Sequence, residues 1–450
     1  MHPALESAVV LAIILSISRF IKRGSNVLQR FFIPSALVAG VMGLILGPQV
    51  LNTITVDVTK YWVAWPKYLI TIVFAGLFLG KIIPSRREVW LTGGPMIAFG
   101  NTLAWGQYVI GILLSLLILE PIFGANPLAG ALIEISFEGG HGTAAGLAPT
   151  FEKLGWSAGT DIALTLATFS IVMAILLGVL IVNIHNWRHH KNSADDQEER
   201  ARQRRQMIRS GYNVISLGKR ANTNPVAILI NIGAFALAIV IGWILQLGLV
   251  RLEDIVLANY TDLRLLPYLP LFPLAMLGGL ILQFFLRKIH KQTLIQRRTA
   301  EIISSIALDI LIASAVATVS LKTIGENLSV IGILGLAGVA WILFGFIVLA
   351  PRMFPSYWYE KGLTNMGQSM GMTATGLLLG RLADPNNRAK ARESFAYKQL
   401  VFEPFMGGGI VTVSAVVLLD RFGQIPIMIG CTLVTIFWLI IGLRFGRKHN

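Results

Sequence analysis

Apolar runs long enough to cross a bilayer recur along nearly the whole chain, and nothing else constrains it as much. About 18 or more apolar residues, rising about 1.5 Å each as a helix, match a hydrocarbon core roughly 30 Å thick. The runs predict eleven full spans, at 4–21, 32–51, 67–83, 91–119, 158–183, 224–248, 266–286, 300–321, 329–350, 399–420 and 424–443. Two further segments, 126–154 and 362–382, are long enough to enter the membrane. Their glycine and polar content is too high for plain crossing helices, so they read as re-entrant hairpins or broken helices. Composition agrees: 54% of the 450 residues are hydrophobic and 14% charged, whereas a soluble domain carries about 25% charge. Soluble-enzyme, fibrous and disordered classes are excluded. A single cysteine, Cys431, excludes an intrachain disulfide and a cysteine metal cluster. Met1-His2-Pro3 lacks the basic start and cleavage site of a signal peptide, so the first span is expected to remain a membrane helix.

The net charge of +15 lies mainly in short loops, which points to membrane orientation rather than a nucleic-acid partner. With the N-terminus outside and each hairpin returning to its own side, the inner loops are 19–30, 81–87, 184–222, 287–298, 351–361, 381–398 and 444–450. They hold 31 of the chain's 38 Lys and Arg, the asymmetry expected of cytoplasmic loops. The expectation is a multi-pass protein of a bacterial inner (plasma) membrane, its C-terminus cytoplasmic. The stretch 184–222, with Arg188-His189-His190-Lys191 and Arg202-Gln203-Arg204-Arg205, reads as a basic cytoplasmic linker that can also touch anionic lipid.

That linker divides two halves that echo each other. Nine positions separate Pro34 from the glycine of Gly43-Leu44-Ile45-Leu46, and nine separate Pro270 from that of Gly279-Leu280-Ile281-Leu282. In each half four spans precede the polar Gly-rich segment and one follows. Five crossings is an odd number, so the second half starts from the opposite face, giving inverted-topology repeats, an architecture of secondary transporters. The predicted organisation is a first repeat at 1–183 with hairpin 126–154, the linker 184–222, a second repeat at 223–420 with hairpin 362–382, and an added helix and basic tail at 421–450.

The hairpins carry the chemistry. The first contains Ser136-Phe137-Glu138-Gly139-Gly140-His141-Gly142-Thr143, and the second contains Asn365-Met366-Gly367-Gln368-Ser369-Met370-Gly371-Met372-Thr373-Ala374-Thr375. Irregular backbone persists at membrane depth only inside protein or along a wet cavity. Helix ends at such a break offer N–H groups to an anion and carbonyls to a cation. Close packing of small residues would explain the glycines alone; the polar groups beside them point instead to a site. Among other membrane-depth polar residues, Asp309 lies mid-span with no cation in its own helix and is a candidate Na⁺ or proton group. Asp161 with Thr168, seven positions on, is a second candidate, and Gln107 can bond a cation, a substrate or another helix. Hard oxygen ligands of this kind suit an alkali ion rather than a transition metal.

At these segments the chain resembles the sodium/glutamate symporter family. The resemblance rests on Gly139-Gly140-His141-Gly142-Thr143, then Ala167-Thr168-Phe169. It rests also on Gly367, Gly371, Thr373 and Thr375 in a Gly-x-x-x-Gly-x-Thr-x-Thr pattern, and on Gln107 before Ile110-Gly111-Ile112. It implies an all-α, elevator-type homodimer that couples Na⁺ to uptake of an acidic amino acid, glutamate first, with no other cofactor. Glu138 stands where a small polar residue is expected, and its carboxylate repels an anionic substrate unless it meets a cation or proton. The expected substrate cradle is Ser136, Glu138, Gly140, His141, Gly142, Thr143, Asn365, Gly367, Ser369, Gly371, Thr373 and Thr375. The expected cation ligands are Asp309, Asp161, Thr168 and Gln107 with hairpin carbonyls. Competing readings are transport of another small organic anion with Na⁺ or H⁺, a channel, and an intramembrane enzyme built on Glu138 and His141.

Overall fold

A computed structural model describes residues 3–30, 33–81, 84–189, 225–257, 265–385 and 387–447. The linker residues 190–222 and the tail residues 448–450 lie outside them. Among the described residues every regular element is helical. Eight helices are long and apolar enough to cross a membrane: Pro3–Gly24, Arg87–Phe123, Ala158–His185, Pro225–Val256, Leu271–Lys288, Arg297–Ala317, Leu328–Met353 and Gln424–Arg447. They match eight of the eleven expected spans.

The other three are corrected by structure. The span expected at 32–51 is a 12-residue helix, Ser35–Leu46, started by Pro34 and followed by turns through Gly47-Pro48. The span expected at 67–83 is displaced to Val56–Ala75, since Pro66 fits inside that helix and the chain leaves helical geometry at Gly76. The chain just past it is held by Arg297, whose Nη1 donates to the carbonyls of Gly76, Leu77 and Leu79 at 3.1, 3.0 and 3.0 Å; a guanidinium beyond a helix C-terminus also complements the dipole. The span expected at 399–420 is broken. Ala391–Phe402 and Ile410–Phe422 are separate helices, divided at Pro404 and the glycines 407–409. Gly407 and Gly408 take φ of +65° and +103° there, values that side chains resist.

The described residues form two compact units, and each draws segments from both halves of the chain. The first comprises Met1–Ile83, Ala145–Pro149 and Asn192–Leu321; the second comprises Pro84–Ala144, Thr150–Lys191 and Lys322–Asn450.

In the first unit, Ser35–Leu46 packs on Arg297–Ala317, and its counterpart Leu271–Lys288 packs on Val56–Ala75. The two motif glycines allow these approaches: a Cβ on Gly43 would sit 2.8 Å from Ala317 Cβ, and one on Gly279 would sit 2.5 Å from Ala75 O. Two glutamines repeat one device. Gln49 bonds the backbone just past Ala317, through Val319 O at 2.8 Å and Leu321 N at 2.9 Å. Gln283 does the same past Ala75, through Gly80 N at 3.0 Å and Lys81 O at 3.1 Å. Asp309 lies in this unit with its carboxylate already engaged. Arg19, from the first helix, donates to its Oδ2 at 2.9 Å. Both side chains are about a third exposed (37% and 35%), so solvent screens the pair. Asp309→Asn is expected to cost under about 1 kcal/mol, read as a small shift in thermal unfolding midpoint.

In the second unit, the long helix from Arg86 is started by Ser85, whose hydroxyl accepts from Glu88 N at 3.3 Å, an N-cap bond. It ends in a five-residue π-helical turn, Ser115–Leu119, and a short tail, Glu120–Phe123, with Pro121. Leu328–Phe344 ends the same way, in π-helical Gly345–Leu349 and a tail, Ala350–Met353, with Pro351. The two helices pack together, and the added helix Gln424–Arg447 lies along the first of them.

Candidate functional site

Both polar Gly-rich segments are interrupted helices, and both breaks lie in the second unit. The first runs through a 3-10 turn, Pro127–Ala131, whose start is capped by Asn126 Oδ1 accepting from Leu128 N at 2.9 Å. It continues as Leu132–Phe137, breaks at Glu138-Gly139, and resumes as Gly140–Gly146. The second is Trp358–Ser369, a break over 370–372, then Thr373–Ala383 packed back against the first arm. A Cβ on Gly367 would come within 3.0 Å of Gly376 Cα and Thr375 O, so glycine lets the two arms close.

The two breaks meet. Gly140 has φ +65°, and a Cβ there would stand 3.3 Å from the carbonyl oxygen of Gly371. Gln107, fully buried in the long helix from Arg86, donates from Nε2 to Ser369 O at 3.0 Å. Asn365 Nδ2 donates to Ser369 Oγ at 3.2 Å, and Gln368 Nε2 donates to Glu138 Oε2. His141 Nε2 lies 2.9 Å from Thr168 Oγ1. The Thr168 hydroxyl proton goes to Leu164 O at 3.0 Å. Nε2 is therefore the ring's donor and Nδ1 keeps a lone pair. Structure thus gathers Ser136, Glu138, Gly140, His141, Thr143, Asn365, Gly367, Ser369, Gly371, Gln107 and Thr168 in one unit, around one pair of breaks.

What these groups lack matters as much. Ser136 Oγ, Glu138 Oε1, His141 Nδ1, Thr143 Oγ1, Asn365 Oδ1 and Gln107 Oε1 are buried with no protein hydrogen-bond partner. A buried unsatisfied polar atom costs about 1–3 kcal/mol, and five in the two short segments, with Gln107 facing them, make this a candidate binding site. All six can accept a hydrogen bond, so the set suits a cation or a donor such as an ammonium.

The remaining expected residues lie on these arms or away from the breaks. Thr373 opens the second arm, and its Oγ1 accepts from Gln399 Nε2 at 2.9 Å and donates to Glu403 Oε1 at 3.4 Å. Thr375 and Gly142 are buried in their arms. Asp161 sits in the first turn of Ala158–His189, the stabilising end for an anion. Asp309 belongs to the first unit, where Arg19 holds it. Gly140→Ala is expected to cost about 1–2 kcal/mol, because it forces a side chain into left-handed backbone, and to lower substrate affinity by parting the breaks. Thermal unfolding with and without substrate checks both effects.

Three buried residues escaped the sequence reading. Glu134 sits at the first hairpin's core with both oxygens taken. Tyr108 Oη donates to Oε2 at 2.6 Å, while Gly407 N and Thr412 Oγ1 donate to Oε1 at 3.0 and 2.8 Å. Gln368 bridges to Lys398, whose ammonium donates to Gln368 Oε1. Lys398, assigned from the sequence to an inner loop, is fully buried instead. The run Met406-Gly407-Gly408-Gly409 was the available signal for the third break.

The family model for the sodium/glutamate symporter matches residues 2–378. A relative from Haemophilus influenzae (strain ATCC 51907 / DSM 11121 / KW20 / Rd), named sodium/glutamate symporter, is 29% identical over 182 residues. That match covers 38% of this chain and 42% of the relative, so less than half of the relative's length is matched. The family is one of transporters, which sets aside the intramembrane-enzyme reading. With its family model matching residues 2–378 of 450, the chain belongs to the sodium/glutamate symporter family.

Proposed function

We propose that this protein is a secondary active transporter. It couples Na⁺ entry to uptake of an acidic amino acid, glutamate first, across a bacterial inner membrane. The observation that carries the reading is the meeting of two helix breaks at Gly140 and Gly371 amid six buried, unpartnered acceptor atoms. Exposed peptide groups and unpaired side chains let one site take a solute with its ion. The name of the H. influenzae relative supports Na⁺ and glutamate as the pair.

The inverted repeat is supported by paired devices in the two halves. These are Pro34 and Pro270 before their helices, Gln49 and Gln283 bonding the backbone past the opposite half's helix, and the two π-helical turns followed by proline. The halves at 1–183 and 223–420 then each give a segment to both compact units. An elevator-type motion of the hairpin-bearing unit, in a homodimer, follows from the family resemblance. Outside N-terminus and cytoplasmic C-terminus follow from the loop charges. Gln107 and Thr168, with hairpin carbonyls, are the first candidates for Na⁺, and Asp161 stays a further one. Asp309 is left out because Arg19 occupies it.

A thermal-shift panel of amino and organic acids, with and without Na⁺, tests this. Glutamate and Na⁺ together should raise the unfolding midpoint by more than the sum of each alone, since each ligand raises affinity for the other. Ligand at about 100 times its Kd adds about 2.7 kcal/mol of stability. Labelled-substrate counterflow in proteoliposomes separates a carrier, which exchanges, from a channel, which does not. A response to a dicarboxylate and none to amino acids would favour the alternative of another organic anion.

A further inference from the structure

Two buried side chains of opposite charge stand one amide apart in the second unit. Lys398 is fully buried in the helix Ala391–Phe402, with room for its stem because position 100 is a glycine. Its ammonium lies 3.5 Å from the Phe402 ring centroid and 5.7 Å from that of Phe395. Its hydrogen bond goes to Gln368 Oε1, and Gln368 Nε2 passes the chain on to Glu138 Oε2. Glu138 is 4% exposed, yet its Oε1 has no partner. A Cβ at Gly100 would fall 3.1 Å from both Lys398 Nζ and Asn365 Oδ1, so another unpartnered acceptor stands close by.

A purely structural ion pair would bring ammonium and carboxylate into contact, because burying each charge is costly without direct compensation. Here neutral amide atoms stand between them. An ammonium carries three donors and a carboxylate about four acceptor positions, and this arrangement leaves donors and acceptors of both groups spare. The bridging group is informative in itself. A primary amide offers an acceptor oxygen and a donor nitrogen on one carbon. The main-chain end of a free α-amino acid offers an anionic acceptor and a cationic donor at nearly the same spacing.

We propose that Lys398 and Glu138 together recognise the zwitterionic end of an α-amino acid, carboxylate to Lys398 and ammonium to Glu138. Gln368 holds the two charges in register until the ligand displaces its amide. This deepens the transporter reading and rests on it for delivery of the solute. It removes the difficulty of a carboxylate inside a site for acidic solutes, since Glu138 meets the solute's own cation.

The test is direct binding by titration calorimetry on the purified full-length protein in Na⁺. It compares L-glutamate with glutarate, and L-aspartate with succinate, pairs that differ only in the amino group. Wild type should bind each amino acid at least about tenfold more tightly than its partner, a ratio within reach of one buried charged contact. Glu138→Gln should cut that preference to about threefold or less. Gln368→Met should keep the preference, because the amide only holds the place. The double variant Lys398→Met/Glu138→Gln, which removes both charges, should stay monodisperse and lose binding of every member. Equal binding of an amino acid and its partner by wild type would overturn the proposal. So would a Glu138→Gln protein that keeps the full preference, or absence of amino-acid binding at millimolar concentration. Proteoliposome counterflow separates the two readings. Binding with the preference but no exchange defeats only the transporter reading, and Na⁺-driven exchange indifferent to the amino group defeats only this one.

Discussion

Lys398→Met is expected to lower the unfolding free energy by about 3–5 kcal/mol, the usual cost of leaving one partner of a buried charge pair uncompensated. Methionine keeps the length and most of the volume of the lysine stem, and its sulfur packs well against the Phe402 ring. The loss therefore reports charge rather than shape. Glu138→Gln alone strands Lys398 and should cost a similar amount. The double variant should be nearer wild type than either single variant, because neutral groups of the same shape can replace a buried pair at little cost. The interaction energy of the cycle, the two single costs less that of the double, is then expected to be at least about 3 kcal/mol. Unfolding of the four proteins in one detergent measures it, and a value below about 0.5 kcal/mol would mean that the charges do not sense each other across Gln368.

Much of this protein is legible in its sequence, and the parts that are not share a cause. Apolar run length locates eight crossing helices, because a bilayer demands one continuous property over many residues. Both helix breaks at the hairpins are likewise visible, since glycine and hydroxyl residues crowd the same short segment. Partners distant in sequence are invisible to such reasoning. Asp309 has no cation within two turns of it along its own helix, yet Arg19, 290 positions away, reaches it. Lys398 follows Arg388, Lys390 and Arg392 and is assigned with them to a basic loop. Only the folded chain shows that it points inward to Gln368 while its neighbours stay outside. The span expected at 399–420 hides its break for another reason. Leu400, Val401, Phe402 and Phe405 before Gly407, and Val411, Val413, Val416 and Val417 after it, keep the run apolar on both sides, so hydropathy stays high where the backbone turns.

The largest effect outside the Lys398–Gln368–Glu138 chain is expected at Glu134, which ties this third break to the first hairpin. Its carboxylate takes three donors, Tyr108 Oη, Gly407 N and Thr412 Oγ1. Thr412 Oγ1 also accepts from Gly408 N at 3.1 Å, so the turn through the glycines is organised around one side chain. Glu134→Ala leaves those donors without an acceptor in a site closed to water. Hydrogen bonds to a charged group are worth about 1.5–3 kcal/mol each, and with partial relaxation the loss should reach about 4–6 kcal/mol. Glu134→Gln separates geometry from charge. Its carbonyl oxygen still serves Gly407 and Thr412, its NH₂ meets the Tyr108 hydroxyl, and that hydroxyl can turn to accept, so the cost should be nearer 1 kcal/mol. Limited proteolysis should show the alanine variant, and not the glutamine one, newly cut over 403–409, because a turn without its anchor opens locally before the whole unit unfolds. Equal stability of the two variants would mean that the break holds itself, through Pro404 and the glycines, and that Glu134 merely fills space.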